Sequence, residues 1–345
     1  MLWEDIIGHK QEKVFLQRLA KAERKPHAFL LNGPAGVGKS LLAHAFAATL
    51  MCGGRDAPCG FCPSCRHLAK GSNPDYFVLR PELKDPQKAP LEFRDGIYID
   101  QVRGLLKEAA FAPKMGKKRV AVIDGAHLMT QEAANSLLKF LEEPPPEWAF
   151  VLLSTSVEAL PPTIVSRTAR INARPLTAEE ILHYLEVKGI KLPNPRAAAE
   201  MAAGSPGQAL RYGSEEADRI RERALDFVRA ALSDDYLRTA PLVEKIKKED
   251  AVLLCEFIAL FLRDAWRVKF AGGDGVCNMD KREEIGRLFS GRDLRALKKI
   301  LRRTEETLAA LKKSANPQLS MDGLYIFIAD TQQGGFCGYG SRSAL

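Results

Sequence analysis

The segment from Gly33 to Ser40 constrains the fold of this chain more than any other. It matches the phosphate-loop pattern G-x-x-x-x-G-K-[ST], with an apolar run before it and an Ala/Leu-rich helical pattern after it. In such a loop, glycines let backbone N–H groups turn toward phosphate oxygens, the lysine supplies a cation and the hydroxyl ligates Mg²⁺. We therefore predict a site for ATP or ADP with Mg²⁺, formed by Gly33, Pro34, Ala35, Gly36, Val37, Gly38, Lys39 and Ser40.

A second pattern extends this nucleotide site and limits its chemistry. Residues 120–124 are an apolar run ending in Asp124, which is typical of a buried strand whose terminal carboxylate orders the Mg²⁺ shell. A glutamate that positions the attacking water usually follows, but here the next residue is Gly125. Since general-base assistance is typically worth ~10²–10⁴ in rate, we expect nucleotide binding with weak or absent hydrolysis. For the nearby His127 we expect a packing or solvent-facing role.

Four of the seven cysteines have the spacing of metal ligands. Cys52, Cys59, Cys62 and Cys65 follow the order C-x₆-C-x₂-C-x₂-C. Four thiolates complete a closed tetrahedral Zn²⁺ site, so we predict a structural zinc module at residues 52–65. One alternative is a set of buried free thiols, which the intervening prolines and glycine disfavour. The other is a disulfide, which a cytoplasmic location disfavours.

Length and composition bound the class of protein. The 345 residues predict two or three domains, and 46% hydrophobic with 27% charged residues is typical of globular proteins. No apolar stretch has membrane-spanning length, and the amino terminus is acidic where a signal peptide would be basic, so we expect a cytoplasmic protein without membrane contact. The net charge of +8 favours a polyanionic partner such as nucleic acid, although the excess is spread along the chain.

The chain changes character near residue 175. Before it, apolar strand patterns alternate with helical patterns, which predicts an α/β nucleotide-binding domain at residues 1–175, with a parallel sheet flanked by helices. Beyond it we predict a small helical lid at residues 176–213, opened by the capping box of Thr177 and Glu180, and an all-helical domain at residues 214–333. Residues 334–345 are rich in glycine and serine, and we expect a disordered tail. The strand patterns lie at residues 29–31, 76–80, 120–124, 150–155 and 169–172.

Several motifs in order carry a resemblance to one family. They are W-E-D-I-I-G-H at residues 3–9, H-A-F-L at 27–30, the phosphate loop, the four cysteines, A-A-N-S-L-L-K-F-L-E-E-P-P at 133–145 and P-T-I-V-S-R-T at 162–168. This series resembles the clamp-loader branch of the AAA+ ATPases, in bacteria the γ/τ and δ′ subunits of DNA polymerase III. The resemblance implies an AAA+ domain, a lid and a carboxyl-terminal helical collar that joins the subunits of a hetero-oligomer.

The resemblance also implies roles for individual residues. In the family, a Ser-Arg-Cys element presents an arginine finger to nucleotide bound by the neighbouring subunit. Here Ser166 and Arg167 match and Thr168 replaces the cysteine, so Arg167 is implied as a finger that acts in trans. The alternative is that Arg167 pairs only with a local acid. Thr155 matches the polar sensor position near the γ-phosphate, and Gly207 stands where the family has a lid arginine.

The losses at Gly125 and Gly207 both affect hydrolysis, and they resemble the δ′ type, which lends its finger and rarely or never turns over nucleotide. The implied partners are the γ/τ and δ subunits, the β sliding clamp and primer–template DNA during replication. One alternative is a γ/τ-type ATPase motor of the same complex. Another is a DNA-binding zinc protein with a vestigial phosphate loop, which is disfavoured because Arg55 and Arg66 alone add positive charge near the cysteines.

Overall fold

A computed structural model of the chain describes residues 2–22, 26–82, 96–108, 111–270, 272–273, 275–313 and 315–331. The chain forms two compact units, one of Met1–Lys188 with Ala203–Gly207 and the other of Gly189–Ala202 with Gln208–Leu345. The tail predicted at residues 334–345 lies outside the described residues. The assignment of residues 176–213 as a lid and 214–333 as a collar stays a prediction.

The first unit is built on a parallel sheet. Its strands are β1 (Ala28–Asn32), β2 (Tyr76–Leu79), β3 (Arg119–Asp124), β4 (Trp148–Ser154) and β5 (Ala169–Asn172). They lie in the order β2-β3-β4-β1-β5, with every neighbouring pair parallel. The α/β fold class is therefore confirmed, and each strand pattern of the sequence coincides with one strand. The order places the carboxyl ends of β1, β3 and β4 side by side, where the phosphate loop, Asp124 and Thr155 follow.

The helices of this unit are α1 (Lys10–Lys21), α2 (Lys39–Met51), α3 (Pro63–Ala69), α4 (Ile99–Glu108), α5 (Gln131–Glu142), α6 (Pro162–Ser166) and α7 (Ala178–Val187). Five of them, α1, α2, α4, α5 and α6, cover the two faces of the sheet. Alternate side chains of β1 divide between two cores: Phe29 and Leu31 pack with α1 and α2, whereas Ala28 and Leu30 pack with α4, α5 and α6. The ring of Phe29 meets that of Phe46 edge-on at 4.8 Å. Burial on both faces explains why β1 is apolar throughout.

Threonine hydroxyls cap the start of two of these helices. The Thr130 hydroxyl accepts a hydrogen bond from the Ala133 N–H at the start of α5. At the start of α7, Thr177 accepts from the Glu180 N–H while the Glu180 carboxylate accepts from the Thr177 N–H. The capping box that the sequence predicts is thus confirmed.

Beyond Val187, the helices account for most of the described residues. They are α8 (Pro195–Met201), α9 (Pro206–Tyr212), α10 (Glu215–Leu232), α11 (Tyr236–Val243), α12 (Lys248–Phe270), α13 (Arg282–Leu288), α14 (Leu294–Lys312) and α15 (Pro317–Asp330). In the second unit α10, α12, α14 and α15 enclose one core around Phe227, Phe257 and Phe261, which confirms the helical carboxyl-terminal region. Within the described residues, none of the helices is both long enough and apolar enough to cross a bilayer.

Candidate functional site

The phosphate loop joins β1 to α2 at the carboxyl edge of the sheet. The Gly33 N–H donates to the Ser154 carbonyl at 3.2 Å, which ties the start of the loop to β4. Gly36 and Gly38 have φ angles of +71° and +109°, in the left-handed region that disfavours side chains. The N–H groups in the first turn of α2 and the partial positive charge there favour an anion in front of the loop.

Lys39 lies in the first turn of α2 and folds back over the loop. Its Nζ donates hydrogen bonds to the carbonyl oxygens of Gly33 at 2.7 Å and Pro34 at 2.8 Å. Burial lowers the pKa of Lys39, and the carboxylate of Asp124 acts in the opposite direction. The ammonium group is therefore held at the mouth of the loop, where phosphate oxygens would replace weak carbonyl partners with charged ones.

Ser40 and Asp124 meet although they lie on different elements. The Ser40 Oγ donates to Asp124 Oδ2 at 3.2 Å, which joins the start of α2 to the end of β3. Arg80, just after β2, places its Nε 3.8 Å from the same carboxylate oxygen. Hydroxyl and carboxylate oxygens are ligands that Mg²⁺ prefers, so this donor set fits a Mg²⁺ ion carried with a nucleotide.

Position 125, directly after Asp124, is crowded and has a left-handed backbone. Gly125 adopts φ +92°, and a Cβ added there would lie 3.1 Å from Cγ of Pro81. A larger residue would need both a strained backbone and a shift of Pro81. The structure therefore explains the glycine that the sequence has in place of a water-positioning glutamate.

Thr155 and His127 contact one another next to this carboxylate. The Thr155 hydroxyl and His127 Nε2 lie 3.0 Å apart, which links the residue after β4 to the short turn after β3. Burial, followed by the positive charge of Lys39, lowers the pKa of His127, while Asp124 opposes the shift. His127 is thus a half-buried hydrogen-bonding partner of Thr155, neither simply packed nor solvent-facing.

Residues 203–207 contact the tip of the loop. The Gly207 N–H donates to the Gly36 carbonyl at 3.3 Å. A Cβ on Gly36 would lie 2.5 Å from the Ser205 Oγ and 3.4 Å from Cα of Gly207. Glycine at both positions permits this close approach of two backbones.

Arg167 ends α6 and is 37% exposed at its side chain. Its Nη2 lies 2.7 Å from Glu142 Oε1 at the end of α5, and its Nη1 donates to the Thr163 carbonyl at 3.1 Å. The pairing with a local acid is therefore present in the single chain. None of these partners belongs to the phosphate loop, so Arg167 is not grouped with the loop of its own chain.

The four predicted zinc ligands converge on one point. Their Sγ atoms all lie within 4.8 Å of one another, and those of Cys52 and Cys62 are 4.0 Å apart. A tetrahedral zinc with Zn–S bonds of about 2.3 Å requires sulfurs about 3.8 Å apart, so the cluster fits the ion closely. Cys52 ends α2 and Cys62 caps α3, which means that two helices hold the site.

Backbone amides surround these sulfurs. The Cys65 N–H donates to the Cys62 Sγ at 3.4 Å, and the Gly54 N–H donates to the Cys52 Sγ at 3.3 Å. Burial raises the pKa of Cys62, but N–H groups from Cys65 and Gly53 outweigh it and bring that pKa to about 6. Burial raises the pKa of Cys65 to about 12. A bound Zn²⁺ would deprotonate such thiols outright and supply the charge that balances four thiolates.

Two residues near the loop received no role from the sequence. His9 is buried, and its Nε2 lies 2.8 Å from the Val37 carbonyl oxygen. Arg80 contacts Asp124 as described above. The available signals were the W-E-D-I-I-G-H motif that ends in His9, and the position of Arg80 directly after an apolar strand. Neither signal shows which distant residue would be contacted.

The chain is similar to known proteins over most of its length. The family described as "DNA polymerase III, delta subunit" matches residues 8–177, and its carboxyl-terminal counterpart matches residues 215–325. The DNA polymerase III subunit delta' of Pseudomonas aeruginosa is 34% identical over 240 residues, covering 68% of this chain and 69% of the relative. The subunit tau of Salmonella typhimurium is 34% identical over 184 residues, covering 53% of this chain and 27% of that protein.

A solved structure from Thermotoga maritima, of a DNA polymerase III gamma subunit-related protein, is 15% identical and has a TM-score of 0.44. The alignment covers 93% of this chain and 99% of that one. The length and identity of the delta' match, together with the two matched family regions, are sufficient to assign the chain to a family. The chain belongs to the family of DNA polymerase III delta' subunits.

Proposed function

We propose that this chain is a δ′-type subunit of a DNA polymerase III clamp loader that binds nucleotide with weak or absent hydrolysis and lends Arg167 to a neighbouring subunit. The observation that carries the proposal is the contrast between two adjacent positions. Asp124 keeps its contact with Ser40, whereas Gly125 is left-handed and crowded by Pro81. This contrast supports a site that can hold a Mg²⁺–nucleotide and lacks the residue that positions water.

In this proposal the chain's own residues hold the nucleotide. Backbone N–H groups of residues 33–40 and the ammonium of Lys39 bind the phosphates, while Ser40 and Asp124 ligate the Mg²⁺. Thr155, at the carboxyl end of β4, senses the γ-phosphate and exchanges its hydrogen bond with His127 when the phosphate is present. The nucleotide stabilises the folded site, and the chemistry takes place elsewhere in the assembly.

Arg167 is suited to act in trans because its present partner holds it weakly. The side chains of Arg167 and Glu142 are 37% and 48% exposed, and exposed pairs are worth about 0–1 kcal/mol. Exchange of the Glu142 carboxylate for a neighbour's γ-phosphate therefore costs little. A guanidinium delivered in this way can contribute ~10³–10⁵ in rate by stabilising charge in the transition state.

The partners in this proposal are the γ/τ and δ subunits, and through them the β sliding clamp and primer–template DNA. The zinc module stabilises the first unit and has no open coordination position for catalysis. Similarity to subunit tau makes a γ/τ-type motor the second candidate, but Gly125 and Gly207 both argue against efficient hydrolysis at this site.

The test uses the purified full-length chain and the δ and γ/τ subunits of the same organism. We expect the isolated chain to bind fluorescent ADP with Mg²⁺ and to release no phosphate from ATP above a no-protein control. On gel filtration, it should elute with δ and γ/τ as one complex. Independent elution would contradict the clamp-loader role, and vigorous ATP hydrolysis by the isolated chain would support the γ/τ-type motor instead.

A further inference from the structure

His9 lies at a turn that precedes α1 and sits against the phosphate loop. The residue has a left-handed backbone with φ +51°, its ring is 1% exposed, and its Nε2 lies 2.8 Å from the Val37 carbonyl oxygen. Because a carbonyl can only accept, the ring carries its proton on Nε2 and donates it. The same nitrogen would lie 3.5 Å from a Cβ built on Gly38, so the ring packs under the peptide that joins Val37 to Gly38.

This contact fixes the direction of one peptide of the loop. In a trans peptide the carbonyl of one residue and the N–H of the next point in opposite directions. A hydrogen bond that holds the Val37 carbonyl toward His9 therefore turns the Gly38 N–H away from His9. Phosphate loops bind anions through such backbone N–H groups, which work only when they are aimed at the ligand.

The opposite side of the ring faces a buried carboxylate. Nδ1 of His9 lies 3.9 Å from Oε2 of the buried Glu12, and the Glu12 Oε1 accepts the backbone N–H of Arg174 at 3.2 Å. The Arg174 guanidinium in turn donates to both oxygens of Glu180 in α7, at 2.7 and 2.9 Å. Within the described residues, His9 Nδ1 and Glu12 Oε2 have no hydrogen-bond partner. The ring is thus hydrogen-bonded to the loop on one side, and on the other side it faces Glu12, which bonds to the segment that leads into α7.

We propose that His9 is a positioning residue for nucleotide binding, which aims the Gly38 N–H at the phosphate by holding the Val37 carbonyl. The proposal deepens the proposed function, since it rests on nucleotide binding by residues 33–40. It assigns His9 no contact with the nucleotide itself. Its role is exerted through the backbone of the loop.

The test compares variants at His9 with a matched control elsewhere. His27 makes the same kind of bond, from Nε2 to the Leu141 carbonyl at 2.8 Å, but at the beginning of β1 and away from the loop. We would measure binding of fluorescent ADP with Mg²⁺, and the thermal unfolding midpoint, for the wild type, His9→Leu, His9→Gln and His27→Leu.

His9→Leu should bind ADP roughly tenfold more weakly, which corresponds to the loss of one hydrogen bond. His9→Gln should restore most of the affinity for ADP, because the side-chain N–H of glutamine can reach the Val37 carbonyl as Nε2 of His9 does. His27→Leu should lower the unfolding midpoint and leave ADP binding unchanged. If His9→Leu does not fold, His9→Asn serves in its place, since asparagine tolerates a left-handed backbone and is too short to reach Val37.

Two results would overturn this proposal and leave the proposed function standing. One is wild-type affinity for ADP in His9→Leu, and the other is a His9→Gln variant that binds ADP no better than His9→Leu. Absence of ADP binding by the wild type would be a different result. It would overturn the nucleotide site of the proposed function and this inference with it.

Discussion

The hydroxyl of Ser40 donates a hydrogen bond to the carboxylate of Asp124 at 3.2 Å, although the two residues are 84 positions apart in the chain. The contact joins the first turn of α2 to the end of β3, and it is made possible by a parallel sheet that aligns the carboxyl ends of its strands. It brings together the two oxygen donors that we propose as Mg²⁺ ligands. In the proposed function, the glycine that follows Asp124 allows nucleotide to bind without efficient hydrolysis.

Lys39→Ala tests whether the chain's own nucleotide is needed for turnover by the complex. The substitution removes the ammonium group that contacts the Gly33 and Pro34 carbonyls and that would bind the phosphates. ADP binding should therefore weaken on the order of tenfold or more. ATP turnover by the complex with γ/τ and δ should stay mostly intact. Binding is measured by fluorescence titration and turnover by phosphate release, with Lys70→Ala, an exposed lysine after α3, as the control. A collapse of turnover in Lys39→Ala alone would favour a motor role for this chain.

Gly125→Glu tests the reason for the missing catalytic acid. The new side chain must adopt φ +92° and displace Pro81, which should lower the free energy of unfolding by about 1–3 kcal/mol without creating an ATPase. Gly71→Glu is a matched control, because Gly71 has φ +68° and no atom within 4 Å of the added Cβ. Chemical denaturation should show a larger loss for Gly125→Glu. Wild-type stability combined with new ATP hydrolysis would contradict the steric explanation.

The cysteine cluster predicts a defined metal content. Purified protein should contain about one zinc per chain, and Cys59→Ser should lose it, since three thiolates and a hydroxyl bind Zn²⁺ less well. Removal of zinc by a chelator should lower the unfolding midpoint. Cys255→Ala is the control. Cys255 is buried in the core of the second unit, away from the four cysteines, so this variant should retain its zinc. Elemental analysis that finds no zinc in the wild type would rule out the metal module.

Glu180 predicts a pH-dependent contribution to stability. Its hydrogen bonds from Arg174 lower the pKa of the carboxyl from 4.5 to about 2. Because the folded pKa lies below the unfolded one, the stabilisation is present above pH 4.5 and is lost as the pH falls toward 2. The stability difference between wild type and Glu180→Gln should therefore shrink over that interval. Denaturation in an Arg174→Met background should show a weaker trend, since the Thr177 N–H bond to Glu180 remains; a trend of undiminished size there would contradict the role of Arg174.

The sequence predicted those parts of the site that depend on local patterns. Three features are each contained in a short segment: the phosphate loop, the strand that ends in Asp124 and the cysteine spacing. The structure has the loop between a strand and a helix, Asp124 at the end of β3 and the four sulfurs close together, as these patterns predict. The contact of His9 with Val37 spans 28 positions, and that of Gly207 with Gly36 brings two distant turns together. Such contacts depend on how the elements pack, which spacing within one segment does not encode.

Arg119 shows the same limit in the fold. Read along the chain, Lys117, Lys118 and Arg119 form one basic cluster, yet Arg119 is fully buried. Its Nε lies 3.4 Å from the buried Asp75, and its guanidinium stacks over the rings of Phe77 and Trp148. Charge alone predicts a solvent-exposed side chain here. The pairing of β2, β3 and β4 brings Asp75 and the two rings to Arg119, and Glu108 of α4 adds a second carboxylate 3.1 Å from its Nη2.

The most direct test of the account is ATP turnover by the complex reconstituted from this chain, γ/τ, δ, the sliding clamp and primed DNA, with wild type compared to Arg167→Ala. Arg287→Ala, an exposed arginine of the second unit, is the control, and gel filtration verifies that each variant assembles. The account predicts a large loss of turnover, on the order of 10³-fold at the site that receives the arginine, for Arg167→Ala only. Unchanged turnover in an intact complex containing Arg167→Ala would contradict the claim that this chain completes its neighbour's active site.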